Sequence, residues 1–215
     1  ASSYLLQGLN VLYITLEMAE ERIAERIDAN LLDVTMEDLH DMPQQLYEGK
    51  ITKLREKTQG QLVIKEYPTA SAHSGHFKSL MNELALKKSF RPDVIFIDYL
   101  NICASSRFKG GNISSYFYVK AIAEELRGLA VEFNVPIFSA TQTTRTGYVS
   151  TDIGLEDTSE SFGLPATADF MFALISNEEL EALGQMKVKQ LKNRYNDPSI
   201  NLSLIHISEP TRLRR

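Results

Sequence analysis

Residues 91–100 read RPDVIFIDYL: a proline-led lead-in, four apolar residues in a row, then a single carboxylate at Asp98. A short unbroken apolar run of this kind predicts a strand buried on both faces, the habit of parallel sheets covered by helices. Working outward, further runs rich in Val, Ile, Phe or Leu occupy 11–16, 62–66, 136–141, 170–175 and 186–191. They alternate with helical or loop stretches, which predicts an α/β domain with a mostly parallel sheet flanked by helices. Ahead of the 136–141 run, Val119, Ile122, Ala123, Leu126, Leu129, Ala130 and Phe133 recur at three- and four-residue spacing. Lys120, Glu124, Glu125, Arg127 and Glu132 fall on the other face, so this is a surface helix packed on the sheet. A second helix is expected over 19–29, with Glu20 and Glu21 near its start where the dipole favours acids. The more polar stretch 36–60 is expected to hold two short helices.

Asp98 carries the first chemical signal. An acid at the C-terminal tip of a buried strand can accept a hydrogen bond from a magnesium-bound water, in the manner of a Walker-B residue, and the apolar strand fixes its direction. Alone, it reads equally as a strand-end or capping carboxylate. A second apolar run, VLYITLEM, ends in Glu17, and a third, PIFSATQ, ends in Gln142. Acids closing two strands of one parallel sheet share its carboxyl edge, where Glu17 can deprotonate a water in line with a terminal phosphate. Gln142 suits the sensing of a phosphate oxygen. Together the three residues outline the working edge of an NTPase.

Composition sets the outer limits. The 215 residues are 43% hydrophobic and 24% charged, with no Trp, enough to bury one sizeable core. No run approaches the roughly 18 to 20 apolar residues of a membrane span, and no basic segment followed by an apolar core opens the chain. A lone Cys103 makes neither an internal disulfide nor a Cys-rich zinc site, as in a reducing compartment, and a cytoplasmic protein is expected. The formal charge of −5 argues against coating duplex DNA through bulk positive charge, but local basic loops can still hold a single strand.

The two ends read differently from the middle. Residues 1–10 look like the back half of a helix, with Gly8 as its C-cap, running straight into a strand; upstream sequence is expected. Residues 202–212, LSLIHISEPTR, match codon for codon the frame translation of a transposon-based sequencing-library adapter. Residues 202–215 are therefore read as a non-native tail and 1–201 as the domain. The tail carries a net +2, so the remainder stands at −7.

From about residue 5 to about residue 200 the sequence resembles the DnaB-type hexameric replicative helicases with a RecA-like motor, most nearly those of T-even phages. The resemblance rests on YITLEM with Glu17, VIFIDYL with Asp98, AIAEELRGLAVEFNVPIFSATQ ending at Gln142, DTSESFGLPATADF with Glu160 and Asp169, and KQLKNRYND with Lys192 and Arg194. It implies a partial RecA-like P-loop NTPase core lacking its first strand and phosphate loop. It further implies ATP and Mg2+ as cofactors, Glu17 as general base, and Asp98 as the magnesium-organising acid, acting through water. Lys192 and Arg194 become a pair reaching the nucleotide bound by the neighbouring subunit, a role that suits a fixed guanidinium facing phosphoryl charge. The partners implied are single-stranded DNA, other copies in a homohexamer, a primase and a helicase loader, in the cytoplasm of a phage's bacterial host.

Two departures accompany it. No G-x-x-x-x-G-K-[ST] occurs in the 215 residues. In the DNA-contacting loop, where family members often read Asp-x-Arg-Glu-Ser-Gly, residues 157–162 read Asp-Thr-Ser-Glu-Ser-Phe; Glu160 and Ser161 are kept and Ser159 stands where the arginine would be. Candidate DNA contacts are Arg107, Lys109, Gly110 and Gly111 after the Asp98 strand, Arg145 after Gln142, and Glu160 with Ser161. Gly lets backbone N–H groups approach phosphates, and the cations add charge. The HSGH pair, His73 and His76, lacks the further ligands of a metal site. A RecA-type recombinase and a catalytically silent ring or interaction module remain the alternative readings.

Overall fold

The computed structural model describes residues 1–108, 113–143, 154–155, 163–195 and 205–208. The chain divides into two compact units, Ala1–Lys109 with Glu124–Ala140, and Gly110–Ala123 with Thr141–Arg215.

The first unit holds a four-stranded sheet in the order β2-β1-β3-β4, built from β1 (Val11–Thr15), β2 (Leu62–Glu66), β3 (Val94–Asp98) and β4 (Ile137–Ser139). Every pairing is parallel, as the sequence pattern predicts, and Val11 lies opposite both Leu62 and Val94. Five helices precede β3 or separate the strands: α1 (Ser2–Leu6), α2 (Glu20–Leu32), α3 (Met36–His40), α4 (Gln44–Lys57) and α5 (Ser74–Lys88). Strand alternation assigns the faces. Val11 and Val94 pack with Leu5 of α1 and Ile23 and Ile27 of α2, while Leu12, Ile14, Ile95 and Ile97 are also at most 2% exposed. Both faces of the inner strands are covered, and each buried aliphatic side chain contributes about 1.5–3 kcal/mol. Helix α6 (Ser115–Phe133) supplies the predicted amphipathic element; Leu126 and Leu129 are buried.

Local backbone follows local chemistry. Gly8 takes φ +83° just beyond α1, the conformation expected of a C-cap glycine. Thr35 and Asp38 cap α3 reciprocally. The 36–60 stretch is more helical than its polarity suggested, since α4 alone runs 14 residues.

The second unit carries its own sheet, ordered β5-β6-β7: β5 (Phe170–Ile175), β6 (Gln185–Asn193) and β7 (Ile205–Ser208), antiparallel throughout. The connection between β5 and β6 explains the change of direction. Only residues 176–184 join them, carrying the short helix Glu178–Ala182, whereas a parallel return needs a crossover of about a dozen residues or more. A further short helix, α7 (Gly163–Thr167), precedes β5. No helix among the described residues is long and apolar enough to cross a membrane.

Candidate active site

The parallel register puts the two strand-end acids on one edge. Thr15 pairs with Asp98, the Leu16 N–H donates to the Asp98 carbonyl at 2.9 Å, and Glu17 follows directly. The turn that carries Glu17 is held by Thr15, whose side chain is fully buried: its hydroxyl accepts from the Met18 N–H at 3.0 Å and donates to the Met18 carbonyl at 2.8 Å. Segment 67–69 pins the same turn, with the Tyr67 N–H on the Thr15 carbonyl at 2.9 Å and the Thr69 hydroxyl on the Leu16 carbonyl at 2.7 Å. Glu17 itself is exposed. A solvent-facing carboxylate on a rigid turn is free to meet a water.

Asp98 is half-buried, and Tyr13 is the residue that sequence reasoning missed. The Tyr13 phenol donates to Asp98 Oδ2 at 3.0 Å. Burial first, and then the charge of Asp98, hold that phenol far above its ordinary pKa, so it remains a donor. Its ring stacks on Phe96, which stacks on Phe138 with centroids 5.3 Å apart, and Tyr4 tilts against both phenylalanines. Tyr13, Phe96, Ile97, Asp98, Phe138, Ser139 and Ala140 line an open cleft of about 180 Å³. The only available signal for Tyr13 was one hydroxyl inside an otherwise apolar run.

No cluster of three or more His, Cys, Asp or Glu side chains stands ready for a metal among the described residues. One oriented carboxylate nevertheless fits Mg2+, which keeps most of its waters and binds proteins through one or two carboxylates plus substrate phosphates. With Tyr13 on Oδ2, Asp98 is held in a fixed direction for that purpose.

Gln142 does not close its strand: β4 ends at Ser139, and Gln142 lies three residues on, exposed. Arg107 pairs with Glu124 at 2.6 Å, with both side chains substantially exposed. Lys109, Gly110, Gly111, Arg145, Glu160 and Ser161 lie outside the described residues. His73 and His76 are used locally, since His73 Nδ1 accepts from the Gly75 N–H and His76 Nδ1 from the His73 N–H at the start of α5.

Within the second unit, Lys192 and Arg194 converge. Lys192 Nζ donates to the Pro165 and Ala166 carbonyls, and Arg194 Nη2 donates to the Ala166 carbonyl at 2.9 Å. Arg194 also pairs with Asp169 at 2.9 Å. Two residues apart at the end of β6, the pair shares one side of the chain, as the strand period requires. There it meets the carbonyl end of α7, the end that favours cations.

The family of DnaB-like helicase C-terminal domains matches residues 1–212. A DnaB-like replicative helicase of Enterobacteria phage T4 is 52% identical over 200 residues, covering 92% of this chain and 42% of that protein. A probable plasmid replicative DNA helicase of Chlamydia trachomatis is 34% identical over 144 residues, covering 65% of this chain and 30% of that one. The chain thus spans less than half the length of these relatives. Among solved structures, an isolated ATPase domain superposes with a TM-score of 0.76 at 17% identity, over 97% of this chain and 74% of that one. A DnaB-like replicative helicase, described with its interactions with primase, superposes at 0.73 and 17%, over 92% and 48%. At such identities the superpositions speak for the fold alone.

Proposed function

The chain belongs to the DnaB-like helicase C-terminal domain family, and from that membership we propose that it is motor-domain sequence of an ATP-dependent replicative DNA helicase, coupling hydrolysis to movement along single-stranded DNA and to duplex unwinding. The observation that carries the reading is the Thr15–Asp98 register, which aligns Glu17 and Asp98 on one carboxyl edge.

Each residue then has a task. Glu17, on its pinned turn, takes the proton from the attacking water. Asp98, steered by Tyr13, accepts a hydrogen bond from a water on Mg2+. ATP with Mg2+, when bound, supplies the phosphoanhydride and the neutralisation of its charge. Lys192 and Arg194 serve the nucleotide of an adjacent copy in a homohexamer, which requires Arg194 to leave Asp169. Arg107 and the loop that follows it, with Arg145, Glu160 and Ser161, meet the strand's phosphates. Primase and loader are the protein partners, and the host cytoplasm is the place of action.

The test uses a chimera in which this chain replaces the matching region of the T4 relative. Glu17→Gln keeps shape and loses the base, so hydrolysis stimulated by single-stranded DNA should fall on the order of a hundredfold with nucleotide binding retained. Asp98→Asn should in addition raise the Mg2+ requirement. Parental turnover from the Glu17→Gln chimera would overturn the assignment.

A further inference from the structure

Glu125, on the polar side of α6, gathers donors from two other segments of its unit. Its carboxylate accepts from Ser74 Oγ at 2.9 Å, at the start of α5, and from Ser105 Oγ at 2.6 Å. The backbone N–H groups of Ser106 and Arg107 add bonds at 2.9 Å and 3.4 Å. Ser105 is only 4% exposed. Glu125 is therefore no ordinary solvated helix residue: burial pushes its pKa up, but the bonds from Ser105, Ser106 and Ser74 together outweigh that and leave it below the usual value.

Residues 67–74 run from this cluster back to the Glu17 turn. Tyr67 and Thr69 bond the Thr15 and Leu16 carbonyls, as above. Farther along, the Ala70 N–H donates to the Ile102 carbonyl at 2.9 Å and the Ala104 N–H to the Ala72 carbonyl at 2.7 Å. The segment is a strap, bonded at one end to the turn carrying Glu17 and at the other to the loop after Asp98.

We propose that Glu125 is a positioning residue that holds the base of the loop leading into Lys109, Gly110 and Gly111 and, through the strap 67–74, couples that loop to the Glu17 turn. The proposal rests on the reading in which this loop meets single-stranded DNA and Glu17 acts on water. A strand pulling on the loop then acts on a fixed base instead of a slack tether, and the displacement reaches Leu16 through backbone bonds. Arg107 and Lys109 keep their charges without Glu125, so strand affinity and strand-stimulated turnover should separate.

Amide hydrogen exchange on the 215-residue chain tests the mechanical part. Glu125→Gln should speed exchange roughly tenfold at Ser106 and Arg107, whose acceptor is weakened, and measurably at Tyr67 and Ala70, which do not touch it. Thr69→Val should act in reverse, speeding Ala104 and Ser106, and Thr69→Ser should restore the parental pattern. Effects confined to each variant's direct partners would overturn the coupling. So would uniform acceleration that includes Ile14 and Ile97 in the parallel ladder, because Glu125 would then serve general stability alone. In the T4 chimera, Glu125→Gln should lower the ratio of strand-stimulated to basal hydrolysis at least about fivefold, with strand affinity within about twofold of the parent. A parental ratio would sink the functional half of the proposal. A parent chimera with no strand stimulation, alongside coupled exchange, would instead remove the helicase reading and leave the strap standing.

Discussion

The hydroxyl of Tyr13 lies 3.0 Å from Asp98 Oδ2, a contact made across β1 and β3 between residues 85 positions apart. Register creates it: Tyr13 pairs with Phe96 and Thr15 with Asp98, so the phenol reaches diagonally along one face. Tyr13→Phe keeps the stack on Phe96 and removes only the donor. The chain should lose about 1 kcal/mol, read as a small fall in melting temperature. In the T4 chimera the same variant should raise the Mg2+ concentration needed for half-maximal hydrolysis. An unchanged Mg2+ profile would show that the phenol does not steer Asp98.

Two glycines of the first unit should respond oppositely to alanine. A Cβ on Gly60 would lie 2.3 Å from the Leu9 backbone oxygen, so the two chain segments must separate, at an expected cost of about 2 kcal/mol or more. Gly49, inside α4, has nothing within 4 Å of that position. Gly49→Ala should stabilise by about 0.5–1 kcal/mol. Urea melts of both variants check the contrast, and equal effects would contradict it.

Much of this architecture was legible beforehand. Strands buried on both faces have no polar side to show, so β1, β2 and β3 read as plain apolar runs close to their observed limits. Direction was not legible for β5 and β6, because side-chain period is the same in parallel and antiparallel strands; only the short 176–184 connection carried that information. The site divides the same way. Glu17 and Asp98 announced themselves by closing apolar runs. Glu125 did not, since helical spacing puts it on the polar face and only the folded loop decides that its carboxylate meets Ser105.

Cys103 should be inert toward thiol reagents in the folded chain. It is 1% exposed, and burial, with a smaller push from the Glu125 charge, raises its pKa to about 12. A raised thiol pKa keeps the neutral form up to strongly alkaline pH, and the thiolate is the reacting species. At pH 8 an aromatic disulfide reagent should label the native chain on the order of a hundredfold or more slower than the urea-unfolded chain, whose thiol titrates near about 8.5. Fast native labelling would mean that the Cys103 region opens readily.

We propose that residues 202–215 are foreign to the domain. The family match and strand β7 both reach into this stretch, with Ile205 opposite Val188, so removal is informative. Ending the chain at Asn201 should leave the melting temperature unchanged or higher. A fall of several degrees, on the order of 1 kcal/mol for a domain of this size, would mean that the tail is a working part of the β6 sheet.

The central claim is that Glu17 and the Arg194 of an adjacent copy complete one hydrolytic site, and subunit mixing tests it most directly. Glu17→Gln and Arg194→Ala chimeras, each inactive alone, are combined, and mixed rings are verified by native mass spectrometry. About one boundary in four should then join an intact Glu17 to an intact Arg194, and ATP hydrolysis should reappear in proportion. Rings proven to be mixed that stay as inactive as either parent would contradict the account, because Arg194 would then act within its own subunit.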